Sequence, residues 1–286
     1  MNTPAFRLTR PRKDAGPAVF SSPHSGDAYS DRFLRESQLD PLTLRSSEDA
    51  FVDDLFGAAP DMGAPLIAAV APRAYVDLNR AETELDPAVV AVSARSGLNP
   101  RLAAGLGVIP RVVAEGRVIR AGRISRAEAE ARIATYHRPY HETLRRLLSE
   151  ARARHGYAVL YDCHSMPRDA LRSHLASGGR RPDIVLGDRF GSACAPWVTE
   201  AARAAFMAEG FHVALNAPFA GGFITQCYGR PDKGFHALQI EIDRSLYMNE
   251  RTIRRLRDFA SVQARLSRVI AALAGAAPER LPYAAE

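Results

Sequence analysis

Lysine is nearly missing from this chain: of its 38 basic residues only Lys13 and Lys233 are lysine, and the rest are arginine. The net charge is 38 − 32 = +6. These arginines are scattered, many beside glutamate in helix-like stretches, and form no clustered basic stripe of the kind that reads nucleic acid. Cysteine is also scarce. Cys163, Cys194 and Cys227 are odd in number and lack CxxC spacing, which excludes a disulfide framework and fits a reduced, cytoplasmic compartment. Long apolar runs are absent. Leu66–Ala71, among the longest, falls far below the ~20 residues that cross a bilayer. No apolar segment follows Arg7, Arg10, Arg12 and Lys13 early in the chain, so no signal peptide is expected.

What remains is an ordinary soluble composition, 47% hydrophobic and 24% charged, over 286 residues. That length suits one large domain with a substantial core. Residues 1–17, with Pro4, Pro11 and Pro17, read as a loose arm, and 18–286 as a single domain. Strands are expected at Ala18–Ser22, Leu66–Val70, Tyr75–Leu78, Tyr157–Cys163, Asp183–Leu186, Phe211–Leu215 and His236–Ile242. Helices are expected at Asp49–Ala59, from the capping box Ser125–Glu128 to about Arg154 with a bend near Pro139, and at Ser192–Glu209. A last helix, capped by Asn249, carries the stripe Ile253, Leu256, Phe259, Val262, Leu266, Val269 and Leu273. The glycine-rich stretch Glu82–Gly122 reads as irregular, with a hairpin around Glu115-Gly116. Alternating strands and helices predict an α/β fold, a sheet covered by helices on both faces.

In such sheets ligands sit outside the strand ends, so polar residues just past apolar strands are the ones to inspect. His24 follows the first strand and His164 the strand at Tyr157–Cys163. Two imidazoles and one carboxylate, with a fourth position open, make a catalytic zinc site. The residues alone leave the carboxylate open between Asp49 and Glu48, and leave either histidine free to be structural. Glu241 alternates with Ile240 and Ile242, so it faces a cleft or solvent, and a glutamate there suits a general base. Asn79 and Arg80 end another expected strand; the planar guanidinium matches a carboxylate, although a structural ion pair is the competing reading. His137 and His141 are four apart on a helix with Glu142 beside them, but this is not His-Glu-x-x-His, and caps, core or supporting contacts are the commoner roles. Gly105-Leu106-Gly107 lacks the third glycine of a dinucleotide loop, no Gly-x-Ser-x-Gly elbow exists, and Cys163 reads as buried rather than nucleophilic.

Taken together in this order, Pro23-His24-Ser25-Gly26, Ser47-Glu48-Asp49, Val76-Asp77-Leu78-Asn79-Arg80, Asp162-Cys163-His164-Ser165-Met166, Gly221-Gly222-Phe223-Ile224-Thr225 and Gln239-Ile240-Glu241-Ile242 resemble the N-formylglutamate amidohydrolase family. The resemblance covers about residues 18–250. It implies a fold like that of zinc carboxypeptidases and aspartoacylases, a mixed sheet sandwiched by helices. It also implies hydrolysis of N-formylglutamate to formate and glutamate, a late step in one route of histidine breakdown. By the same likeness His24 and His164 are zinc ligands, with Asp49 third and Glu48 and Asp27 as rivals. The carboxypeptidase pattern His-x-x-Glu is not kept, since Asp27 stands three residues after His24. Glu241 matches the catalytic glutamate, and Asn79-Arg80 the pair that holds a substrate carboxylate. Arg73 is the candidate for steadying the oxyanion, and Arg123 for meeting the glutamate side chain. The expected partner is a small anionic N-acyl amino acid, with neither nucleic acid nor membrane. Two other zinc hydrolases, a carboxypeptidase and a general N-acyl-amino-acid deacylase, stay open as alternatives, as does a metal-free nucleic-acid-binding protein.

Overall fold

The computed structural model describes residues 4–13, 16–92, 100–171 and 180–277. Residues 93–99 of the glycine-rich stretch, Gly97 among them, lie outside the described residues. One seven-stranded sheet runs through the molecule in the order β1-β3-β2-β4-β7-β5-β6. Its strands are β1 (Phe6–Thr9), β2 (Ala18–Ser22), β3 (Leu66–Ala69), β4 (Ala158–Met166), β5 (Ile184–Gly187), β6 (Val213–Leu215) and β7 (Phe235–Asp243). β3, β2, β4 and β7 are mutually parallel, β1 and β5 pair antiparallel with β3 and β7, and β6 pairs parallel with β5. The fold is the expected mixed α/β sheet.

β2 and β4 are buried along their whole length and β7 along all but its first residue, as parallel strands covered on both faces must be. Successive side chains alternate between two cores. Phe20, Val159, Tyr161, Leu238 and Ile240 join a cluster beneath the helices Val52–Leu55, Pro196–Ala208 and Phe259–Ala274. Phe20 stacks on Tyr161 with ring centroids 5.1 Å apart. Val19, Leu160 and Ala237 point the other way, onto Tyr140, Leu144 and Leu147 of the helix Arg138–His155.

The same alternation selects the polar side chains. Asp162 and His164 continue the parity of Leu160, and Gln239 and Glu241 that of Ala237, so all four leave on the second face, toward the C-terminal strand ends. Cys163 has the opposite parity and is buried in the first core.

Several elements differ from the sequence expectation. Phe6–Thr9, expected within a loose arm, is an edge strand whose residues alternate between half-buried and exposed. Tyr75–Leu78 is not a strand: its residues form turns, with Asp77 N–H donating to Val108 O at 2.9 Å. The helix expected at Asp49–Ala59 contracts to Val52–Leu55, because Phe51 takes a left-handed φ of 66°. Asn249 caps a turn of a small hairpin, Met248–Asn249 with Arg254–Arg255, and the last helix starts only at Phe259. The helix opened by Ser125, whose hydroxyl accepts from Glu128 N–H at 3.1 Å, reaches His155. Its irregularity precedes Pro139 as a π-turn at Ile133–His137. Val112 bridges Val118 around Ala114–Gly116, the expected hairpin position.

Candidate active site

At the C-terminal ends of β2, β3, β4 and β7 a cavity of about 700 Å³ opens. His24, Asp49, His164, Glu241, Asn79, Arg80 and Arg73 all line it. β2 delivers His24 two residues past its end. β4 carries His164 in register with Glu241 of β7, and Asp162 in register with Gln239. The hydrogen bond from Asp49 N–H to His24 O, at 3.0 Å, ties the third segment to the first.

Ligand atoms of His24, Asp49 and His164 lie within 4.8 Å of one another, and all three residues are buried. The partners of the far ring nitrogens set the tautomers. His24 Nε2 meets Asp77 Oδ1 at 2.8 Å and His164 Nε2 meets Asp162 Oδ2 at 2.9 Å. A carboxylate accepts, so each Nε2 carries a proton, and His24 Nδ1 is left with its lone pair; His164, with a carboxylate at both nitrogens, holds a second proton on Nδ1 in the metal-free protein, which a metal bound there would replace. His164 Nδ1 is 2.9 Å from Asp49 Oδ2 and His24 Nδ1 is 3.3 Å from the same oxygen. His24 Nδ1 is buried without a hydrogen-bond partner. A carboxylate behind each imidazole and an orphaned nitrogen in front are what a metal-binding histidine pair requires. The group could hold a metal ion.

Glu48 and Asp27 are not part of this group. Glu48 is engaged by Arg45 Nε at 3.0 and 3.1 Å, and Asp27 is exposed. Asp49 Oδ1, by contrast, receives Ser165 Oγ at 3.0 Å and Arg244 Nη2 at 3.1 Å. Burial alone would raise the Asp49 pKa, but the contacts with His164 and His24 hold it well below the usual carboxylate range. Burial likewise opposes charge on His164, and Asp162 outweighs it, so its pKa lies well above the usual value. Glu241 is pushed up to about 7, chiefly by burial. Its Oε1 accepts from Gln239 Nε2 at 2.8 Å, and Gln239 Oε1 accepts from Gly222 N–H at 2.8 Å, which orients the carboxylate.

The remaining sequence candidates fall into three groups. Arg80 lines the cavity and donates through Nε to Leu106 O at 2.8 Å and through Nη1 to Asn79 O at 3.0 Å, with no ion-pair partner among the described residues. Burial lowers its pKa. Arg73 Nε pairs with Asp77 Oδ2 at 3.1 Å. Asn79 Oδ1 accepts from Ile224 N–H at 2.7 Å and its Nδ2 lies 3.2 Å from His164 Nε2, so it is committed to the protein's own framework as well as lining the cavity. A Cβ on Gly222 would come within 2.5 Å of Asn79 Nδ2, so that position requires glycine. Arg123 is exposed and outside the cavity lining; the direction its side chain takes past Gly122 is not encoded in local spacing. Two arginines that sequence reasoning missed, Arg101 and Arg244, do line the cavity. Arg244 has a signal in the sequence: it stands just past the end of β7, the same strand-end rule that picks out His24.

The fold and the cavity together have the form of an α/β enzyme, with the polar groups gathered at parallel strand ends. The N-formylglutamate amidohydrolase family model matches residues 16–248, and the chain belongs to that family. It is 34% identical over 240 residues to the N-formylglutamate deformylase of Pseudomonas putida, covering 82% of each chain. It is 33% identical over 241 residues to that of Pseudomonas aeruginosa, covering 82% of this chain and 83% of the relative. The crystal structure of N-formylglutamate amidohydrolase from Ralstonia eutropha JMP134 is similar with a TM-score of 0.85, at 34% identity over 94% of this chain and 96% of that one. No described helix is long and apolar enough to cross a membrane.

Proposed function

We propose that this chain is a zinc-dependent amidohydrolase that cleaves N-formyl-L-glutamate to formate and glutamate. The observation that carries the reading is the buried His24–Asp49–His164 group, with Glu241, in a cavity that several arginines also line, in a chain of this family. His24 Nδ1, Asp49 and His164 Nδ1 are the metal ligands, and nitrogen with carboxylate donors in a set of three suits zinc with an open position. A metal held there supplies Lewis acidity and lowers the pKa of water toward ~7. Glu241 is the general base: its carboxylate takes a proton from the attacking water and passes it to the leaving nitrogen. Arg73, a quarter exposed and held by Asp77, steadies the negative charge developing on the acyl oxygen. Arg80, with Asn79 beside it, binds the α-carboxylate through a charge-assisted pair. Arg101 takes the role first expected of Arg123 and meets the side-chain carboxylate.

The domain reading is one catalytic domain from about residue 18 onward, with Phe6–Thr9 added to its sheet edge. Three free cysteines, two of them buried, favour work in the reducing cytoplasm. The test is formate or amine release from N-formyl-L-glutamate, N-formyl-L-leucine, N-acetyl-L-glutamate and a short peptide by zinc-loaded protein. A clear preference for N-formyl-L-glutamate is expected. Preference for the leucine compound or the peptide would move the chain to a general deacylase or a carboxypeptidase.

A further inference from the structure

Among the described residues the turn that carries Asn79 and Arg80 pairs with no strand, so its buried carbonyls need donors from elsewhere. Three such groups each meet a side-chain donor, two of them a histidine. His141 Nε2 reaches Leu78 O at 2.8 Å, Arg80 Nη1 reaches Asn79 O at 3.0 Å, and His137 Nε2 reaches Arg80 O at 2.8 Å. The two histidines therefore clamp the peptide groups on both sides of Asn79. A carbonyl only accepts, so both rings carry the proton on Nε2. Burial lowers the pKa of His137 and takes that of His141 to about 3, so both are neutral donors at physiological pH. Tyr228 OH lies 2.9 Å from His141 Nδ1 and holds that ring from behind.

The helix is built for this contact. A π-turn at Ile133–His137 ends on His137, and the ring centroids of His137 and His141 are 4.3 Å apart. Single π-turns inside α-helices are rare and recur at functional sites. Neither histidine lines the cavity.

We propose that His137 and His141 are positioning residues that hold the 78–80 turn so that Arg80 meets the substrate carboxylate. This rests on the reading of Arg80 as the substrate-binding arginine. Truncating either donor frees a carbonyl and lets the turn relax at Arg80, while Glu241 on β7 stays in place; because Asp77 bonds His24 and Asn79 lies 3.2 Å from His164, metal content is measured beside the kinetics and should stay stoichiometric. Substrate binding should therefore suffer more than turnover.

The experiment is steady-state kinetics of the zinc-loaded full chain on N-formyl-L-glutamate. His137→Phe and His141→Phe should raise KM about tenfold while kcat stays within about threefold. His137→Gln and His141→Gln, whose amide can reach the position of Nε2, should bring KM back to within about threefold of wild type. If a phenylalanine variant fails to fold, His137→Asn or His141→Asn, polar but too short to reach, should show the same KM defect. A KM unchanged within twofold, a fall in kcat alone, or equal defects in the Gln and Asn variants would overturn the proposal. Wild-type protein inactive on N-formyl-L-glutamate would overturn the substrate reading and this inference with it; active wild type with unmoved KM overturns this inference alone.

Discussion

His164 and Glu241 face each other in register on the neighbouring parallel strands β4 and β7. Burial pushes the glutamate pKa up to about 7, and the charge on His164 offsets only part of that effect. A base poised near neutrality matches the task of moving one proton onto a leaving nitrogen. Glu241→Gln should keep the metal and lower kcat by about 10²–10⁴. Metal analysis beside single-turnover kinetics checks this; near-full turnover in a metal-loaded variant would remove Glu241 from the mechanism.

The pH profile follows from the same residue. Glu241 works as a base only when deprotonated, so kcat/KM should rise with pH on an acid limb. A bound cation favours the carboxylate, which places the midpoint at or below about 7. An acid limb centred well above that value would point to another group.

Asp77 and Asp162 stand behind the two histidines at 2.8 and 2.9 Å. Loss of such a partner typically weakens metal binding 10- to 100-fold. Asp162→Asn and Asp77→Asn should each do so in competition with a chelator, whereas His24→Ala should abolish stoichiometric binding. Equal retention of metal in all three variants would separate this group from metal binding.

Much of the site is legible in the amino-acid sequence. β4 and β7 stand out because apolar runs buried on both faces end in polar residues, and that rule finds His24, His164 and Glu241 together. The turn at 75–80 reads as a strand because Val76 and Leu78 alternate correctly; its carbonyls are instead taken by His137 and His141, more than 50 residues away in sequence. Phe6–Thr9 escapes the pattern because an edge strand needs only alternate side chains covered. The choice of Asp49 over Glu48 depends on which carboxylate Arg45 captures, a contact that no local spacing encodes.

Asp77 also ties stability to pH in the metal-free protein. Burial would raise its pKa, but Arg73 and His24 more than offset this and hold it well below the usual carboxylate value. The folded state therefore resists protonation more than the unfolded chain does. That stability is present above pH ~4 and is lost as pH falls through the lower folded value. Asp77→Asn should cost about 3–5 kcal/mol at pH 7, as expected when one partner of a buried charged pair is removed, and less below pH ~4. Urea unfolding at pH 7 and pH 3 measures the difference; a cost that does not shrink with acid would mean that packing, not charge, holds the site together.

The cavity's arginines divide by the contacts they make. Arg244 is committed to Asp49 and Ser165, and Arg73 to Asp77, whereas Arg80 bonds backbone carbonyls; Arg101 also lines the cavity, at its exposed side. Under the proposed reading, a substrate with two carboxylates meets Arg80 and Arg101. Arg80→Lys keeps the charge but loses the planar fork, so KM should rise about tenfold for N-formyl-L-glutamate and N-formyl-L-norvaline alike, since both carry the α-carboxylate. Arg101→Ala should raise KM for N-formyl-L-glutamate and leave N-formyl-L-norvaline, which lacks the second carboxylate, within about twofold; a charge-assisted pair worth about 1.5 kcal/mol corresponds to roughly tenfold in binding. Arg123→Ala, outside the cavity, should change neither. An Arg101 variant that loses both substrates equally would make that residue part of the general binding surface and leave the side-chain carboxylate to another group.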